Sequence, residues 1–216
     1  MRFTILTLFP KAFDSYLGES ILKRAREKKL IKIDIVDIRK FTSDKHHTAD
    51  GKPYGGGPGM VMMAEPILRA VGSLLRSDLR GRRRRKVFIL SAAGKQFNSK
   101  MAKNLSLNTD HLILIAGHYE GIDERVKKAL KAEEVSIGDY VLTGGELPAM
   151  VLIDAIARHI PGVLGKHESL EEKRFGVGVP AYTRPEVVAY KGKKYHVPPV
   201  LLSGDHKKIS AWRSRA

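Results

Sequence analysis

The 216-residue sequence predicts an α/β fold, a mainly parallel sheet with helices on both faces. Three observations predict it. Short apolar runs of strand length alternate with stretches of helical period up to about residue 165. Glycine-rich turns follow several of those runs, as they do where parallel strands hand over to helices. At 43% hydrophobic residues, the chain has enough apolar mass for a core in one domain plus an appendage.

Residues 3–9 are apolar, β-branched and aromatic, the composition of a first strand. Residues 12–29 have helical spacing, and 31–38 form a second strand with Ile33, Ile35 and Val36 among charges. Residues 39–59 make a long, glycine-rich loop. A helix over 65–77, a strand over 87–90 and a short helix over 100–105 come next. Residues 112–116 are apolar without interruption, as a central strand buried on both faces would be. Residues 124–131 are helical and 133–137 a strand. In 146–159, Leu147, Met150, Val151, Asp154, Ala155 and Arg158 recur at helical spacings. Pro161-Gly162 then ends the last helix of a domain spanning 1–165. Residues 166–179 carry charge and glycine without a period and read as a flexible linker. Residues 180–216, rich in Tyr, Pro and Lys, are expected to be a small C-terminal helical domain docked on the first domain or on a partner subunit.

Composition excludes several classes. With no cysteine there are no disulfides, thiolate metal sites or cysteine nucleophiles. No run approaches the roughly 18 apolar residues of a membrane span. The Met1-Arg2-Phe3-Thr4 start does not read as a secretion signal, so a cytoplasmic protein is expected. Lys and Arg number 39 against 23 Asp and Glu, a formal +16 that attracts polyanions. Scattered lysines only solubilise. Clusters say more: Arg80, Arg82, Arg83, Arg84, Arg85 and Lys86 form one run, and Lys191, Lys193, Lys194, Lys207, Lys208, Arg213 and Arg215 load the end. Nucleic acid fits these better than a membrane surface, since no strongly amphipathic basic helix accompanies them.

The candidate site lies in the loops. Ile137-Gly138-Asp139-Tyr140-Val141-Leu142-Thr143-Gly144-Gly145-Glu146 sets glycines among apolar residues between a strand and a helix, where bare backbone can approach a ligand. Leu90-Ser91-Ala92-Ala93-Gly94 and Gly117-His118-Tyr119-Glu120-Gly121 stand at two other strand ends. Any one of these reads as a structural turn. Three at strand ends of one sheet point to a ligand at its carboxyl edge. Tyr54-Gly55-Gly56-Gly57-Pro58-Gly59 lacks the Gly-Lys-Ser/Thr ending of a nucleotide-phosphate loop. Asp123 and Glu124 suit a helix start, while Glu120 precedes it and is free to face a cationic ligand. From pattern alone, Arg158 fits a structural ion pair as well as a catalytic role. His46 and His47 have no partners at metal-ligand spacing, so no metal site is expected.

At these loops the sequence resembles the bacterial tRNA (guanine-N1)-methyltransferases of the TrmD type, in the SPOUT class. The resemblance rests on Pro53 to Met60, Gly117 to Arg125, Ser136 to Pro148 and Ile160 to Gly165. Tyr182-Thr183-Arg184-Pro185, Leu202-Ser203-Gly204-Asp205-His206 and Trp212-Arg213 extend it, in order, over nearly the whole chain. It implies a deep trefoil knot and a homodimer with the active site between subunits. It implies S-adenosyl-L-methionine held by Leu90, Ser91, Gly94, Gly117, Tyr119, Glu120, Ile137, Gly138, Asp139, Tyr140, Val141, Leu142, Gly144, Gly145 and Pro148, and it allows Mg²⁺. The substrate would be the guanine immediately 3′ of a tRNA anticodon, contacted through Asp50, Tyr54, Gly57, Gly59, Arg184, Ser203 and His206.

Guanine N1 keeps its proton at neutral pH, so methylation needs a general base at N1 and a cation or donor at O6. Arg158 occupies the family's arginine position. The family's base is a linker carboxylate two residues before the proline of Pro-x-Tyr-Thr-Arg-Pro, and Gly178 stands there in this chain. Glu171 and Glu172 are the nearest candidates, with Asp50 behind them. The C-terminal domain also looks truncated beside the family's helical tail. A knotted tRNA-binding protein with weak or no catalysis is the alternative expectation.

Overall fold

The computed structural model describes residues 1–77, 84–165 and 178–214. The chain forms two compact units, Met1–Leu164 and Gly165–Ala216. In chain order the first unit contains β1 (Arg2–Thr7), α1 (Ser20–Glu27), β2 (Lys32–Asp37), β3 (Asp50–Gly51), β4 (Val61–Met62), α2 (Ala64–Ser77) and β5 (Arg85–Gln96). It continues with α3 (Ser99–Asn108), β6 (His111–Ala116), α4 (Glu124–Leu130), β7 (Glu133–Ser136) and α5 (Glu146–Ala157).

Five of these strands form one parallel sheet in the order β2-β1-β6-β5-β7. Its centre is β6, buried at every residue, because its side chains alternate between two cores. Leu112 and Leu114 join Phe3, Ile5, Phe88 and the helices α1, α3 and α5 on one face. Ile113 and Ile115 join Leu6, Ile89 and the helices α2 and α4 on the other. Each such side chain contributes roughly 1.5–3 kcal/mol by leaving water. The helices therefore cover both faces, as the alternation predicts.

Some elements differ from their expected form. The single helix expected over 12–29 is broken: 3-10 turns at Pro10–Phe13 and Tyr16–Gly18 precede α1, and Glu19, between the second turn and α1, is extended at φ −122° and ψ 162°. Tertiary burial of Phe13 and Leu17 decides this segment, against helical propensity. The long loop contains β3 and β4, an antiparallel pair two residues deep. The strand expected over 87–90 runs from Arg85 to Gln96, with a register jump between Leu90 and Lys95.

The second unit is not simply helical. Its described residues form a hairpin of β8 (Val187–Tyr190) and β9 (Lys193–His196), followed by α6 (Pro199–Leu202) and α7 (His206–Arg213). The hairpin turn places Lys191 at φ 48° and Gly192 at φ 75°. Two positive φ values at the centre of a two-residue loop suit the twist of antiparallel strands. Asp205 starts α7 by accepting the Lys207 and Lys208 amide N–H groups, which lowers its carboxyl from the usual range.

Candidate functional site

The carboxyl ends of β5, β6 and β7 enclose a cavity of about 350 Å³. Its first wall comes from a register jump in β5. Leu90 and Lys95 both pair with Val135, so residues 91–94 are pushed out of the ladder. Gly94 makes this possible. A Cβ there would strike the Val135 amide nitrogen and lie 2.5 Å from the Glu134 carbonyl carbon.

The second wall is residues 117–121, where Tyr119 (φ 59°) and Gly121 (φ 117°) turn the chain sharply before Asp123 caps α4. The Asp123 carboxyl is held below the usual carboxylate range by its hydrogen bond with the Arg125 guanidinium. The third wall, residues 137–145, runs back against the second. His118 and Gly144 form an antiparallel bridge, and the Gly145 amide donates to the Gly117 carbonyl at 2.7 Å. A Cβ on Gly145 would lie 2.7 Å from Ala116 Cα and 2.8 Å from the Gly117 nitrogen. Bare backbone is a steric requirement here.

The glycine-rich loop is stitched to the second wall. The Glu120 amide donates to the Met60 carbonyl at 3.0 Å, Met62 N–H to Gly121 at 2.9 Å, and Asp123 N–H to Met62 at 3.0 Å. The Glu120 side chain covers Gly59, where a Cβ would stand 2.5 Å from Glu120 Cγ. Polar groups gather at one side of the cavity. Lys127 pairs with Glu134 and lies 4.0 Å from Glu124; the Glu134 hydrogen bond pushes its ammonium pKa up. Tyr140, Val141 and Leu142 form a solvent-facing apolar rim.

Of the fifteen residues expected to hold the cofactor, all but Gly94, Gly138 and Asp139 line this cavity. Gly94 shapes it through β7, and Gly138 lies beneath the Tyr140 ring. Asp50 in β3, Tyr54 and Gly57 do not line the cavity, and Tyr54 is fully in solvent. Arg158 ends α5 and is absent from the lining; its amide donates to Asp154. Burial, and then the Asp154 carboxylate that the phenol hydrogen-bonds, push the Tyr16 pKa up. Glu171 and Glu172 lie outside the described residues.

Arg184, Ser203 and His206 belong to the second unit. Arg184 lines that unit's own concavity of about 1010 Å³, with Tyr182, Leu201, Leu202, Ile209 and Arg213. Ser203 uses its hydroxyl on the Val200 carbonyl at 2.7 Å, and His206 begins α7. Sequence reasoning missed His118, Lys127, Glu134 and Ser136 in the cavity lining, and Glu146 and Thr7 beneath it. Only the glycine spacing around His118 and Glu146 hinted at their place.

Among the described residues, no group of three or more imidazole and carboxylate side chains converges to hold a metal ion. No helix among them is long and apolar enough to cross a membrane.

The sequence profile described as tRNA (Guanine-1)-methyltransferase TrmD matches residues 1–216. A protein of Carboxydothermus hydrogenoformans named tRNA (guanine-N(1)-)-methyltransferase is 51% identical, over 100% of this chain and 82% of its own length. Its namesake from Moorella thermoacetica is 50% identical over 99% of this chain and 84% of its own. That from Clostridioides difficile is 50% identical, over 99% and 90%.

Proposed function

From the premise that this chain belongs to the tRNA (guanine-1)-methyltransferase TrmD family, we propose that it transfers a methyl group from S-adenosylmethionine to N1 of the guanine immediately 3′ of a tRNA anticodon. The observation that carries the reading is the meeting of three bare-backbone segments around one cavity. The fit is chemical as well as steric. Backbone amides and carbonyls suit the polar edges of an adenosine, the apolar rim of Tyr140, Val141 and Leu142 suits its flat faces, and Glu120 offers a carboxylate for the amino-acid end. When bound, S-adenosylmethionine supplies an electrophilic sulfonium methyl.

The protein's own residues then do three things. The walls at residues 91–94, 117–121 and 137–145 hold the donor and exclude water from it. Arg158 faces guanine O6 and stabilises the negative charge that collects there as N1 loses its proton, with two donors in a fixed fork. Glu171 or Glu172 takes the N1 proton. Asp50, Tyr54, Gly57, Gly59, Arg184, Ser203 and His206 contact the tRNA, whose target base is flipped out of its stack. Mg²⁺ finds no cluster of ligands among the described residues, so no step is assigned to it.

A homodimer is part of this reading. The α5 helix carries apolar residues on every side, yet Leu147 and Val151 are 59% and 44% exposed. A helix apolar all round calls for cover, and a second copy provides it. Arg158 lies about 18 Å along α5 from Glu146, counting 1.5 Å per residue. We assign it to the partner's cavity, across that interface. A trefoil knot, with residues 137–145 passing close to Ala116 and Gly117, and a cytoplasmic location belong to the same reading. The relatives, all named as methyltransferases, lend the binding-only alternative no support.

The test is nucleoside mass spectrometry after incubating the protein with S-adenosylmethionine and a tRNA transcript. 1-Methylguanine is expected, and it should vanish when the target guanine is replaced by adenine. The Glu171→Gln/Glu172→Gln double variant should slow single-turnover transfer at least tenfold, with cofactor affinity intact. Unmodified guanine with wild-type protein would end the proposal.

A further inference from the structure

Beneath the cavity lies a group of buried side chains that the proposed chemistry does not use. Glu146, the first residue of α5, is 9% exposed, the only carboxylate in the buried set among the described residues. Thr7, at the end of β1, donates its hydroxyl to Glu146 Oε1 at 2.7 Å and accepts the Phe9 amide at 2.9 Å. Glu146 Oε2 stands 3.8 Å from His118 Nδ1, an atom shut off from solvent with no hydrogen-bond partner. The His118 ring packs against Phe9 (4.7 Å) and Tyr119 (4.9 Å), and its amide meets the Met62 sulfur at 3.2 Å. Between carboxylate and imidazole passes Gly144, where any Cβ would collide with both groups.

A buried carboxylate is costly unless its oxygens find partners. The Thr7 hydroxyl satisfies one oxygen, and the start of α5 favours the negative charge. The other oxygen faces the second wall. The group thus ties β1, the 117–121 wall, the 137–145 wall and α5 at a single point.

We infer that Glu146 is a positioning residue: anchored by Thr7, its charge holds His118 and so sets the spacing of the second and third walls that grip the cofactor. This rests on reading the cavity as the methyl-donor site. Glu146→Gln keeps the shape and the acceptor for Thr7 but removes the charge. Its Kd for S-adenosylhomocysteine should rise about five- to tenfold by calorimetry, with the melting temperature nearly unchanged. Thr7→Ser should bind as wild type and Thr7→Val as Glu146→Gln, a rescue pattern that carries the comparison even if Glu146→Gln fails to fold.

A second readout needs no cofactor. Around the His118 ring, Glu146 from α5 supplies the charge, Tyr119 a phenol on its own loop, and Thr7, Phe9 and Met62 are uncharged. Without the carboxylate the two walls loosen, so the Gly145 amide, bonded across them to the Gly117 carbonyl, should exchange with solvent severalfold faster in Glu146→Gln. Unchanged affinity together with unchanged Gly145 exchange overturns the inference. Faster Gly145 exchange in the variant, with a wild type that binds no S-adenosylhomocysteine, upholds the brace and sinks the reading of the cavity instead.

Discussion

Replacing Arg158 by alanine is expected to lower kcat for methyl transfer by about two to three orders of magnitude, the loss typical of a removed transition-state donor. Cofactor affinity should stay within twofold, because in this reading the guanidinium faces guanine O6 and not the methyl donor. Guanine O6 gains negative charge only as N1 gives up its proton, so a guanidinium there acts mainly on the barrier. Arg158→Lys should recover little, since an ammonium keeps the charge but loses the planar fork. Single-turnover kinetics alongside calorimetry with S-adenosylhomocysteine separate the two effects. A loss confined to cofactor affinity, with kcat intact, would make Arg158 a structural residue at the end of α5.

Gly145→Ala should destabilise the first unit and abolish tight cofactor binding together. The added methyl would sit 2.7 Å from Ala116 Cα and 2.8 Å from the Gly117 nitrogen, both main-chain atoms that no rotamer change can move. Overpacking of this kind costs about 1–3 kcal/mol. For a chain of this size that lowers the melting temperature by about 3–10 °C. It also pushes the third wall off the second and stretches the 2.7 Å bond between Gly145 and Gly117, so affinity should fall at least tenfold. Gly72→Ala is the control. Gly72 lies in α2 with open space around it, and alanine in a helix interior is favoured by up to about 1 kcal/mol. The melting temperature should fall in Gly145→Ala and hold or rise in Gly72→Ala, and calorimetry should show lost affinity in Gly145→Ala alone.

How far the sequence carries the argument depends on which contacts are local. The apolar run at 112–116 announces a central parallel strand, and the structure buries every residue of β6. The glycine loops are equally legible because the strands that precede them are, and a parallel sheet gathers its strand ends at one edge. The jump between Leu90 and Lys95 is not, since it depends on Gly94 lying against β7, a strand some forty residues later. Nor is the brace: Thr7 and Glu146 are 139 residues apart, and Glu146 reads locally as an ordinary helix-start acid. The hairpin over residues 187–196 hides behind its lysines, which disguise strand alternation, and behind a Lys-Gly turn instead of Asn-Gly. Arg158 shows the opposite limit. Its helix was legible, but its distance from the cavity along α5 emerges only once Gly145 and Pro148 are seen at the other end.

Amide hydrogen exchange with and without S-adenosylhomocysteine tests the central claim most directly. Joint protection of residues 91–94, 117–121 and 137–145 on adding the ligand is the predicted result, with the second unit unaffected in the absence of tRNA. Protection confined to one segment, centred on the concavity around Tyr182 and Leu201, or missing altogether would contradict a cofactor site built from three strand-end loops.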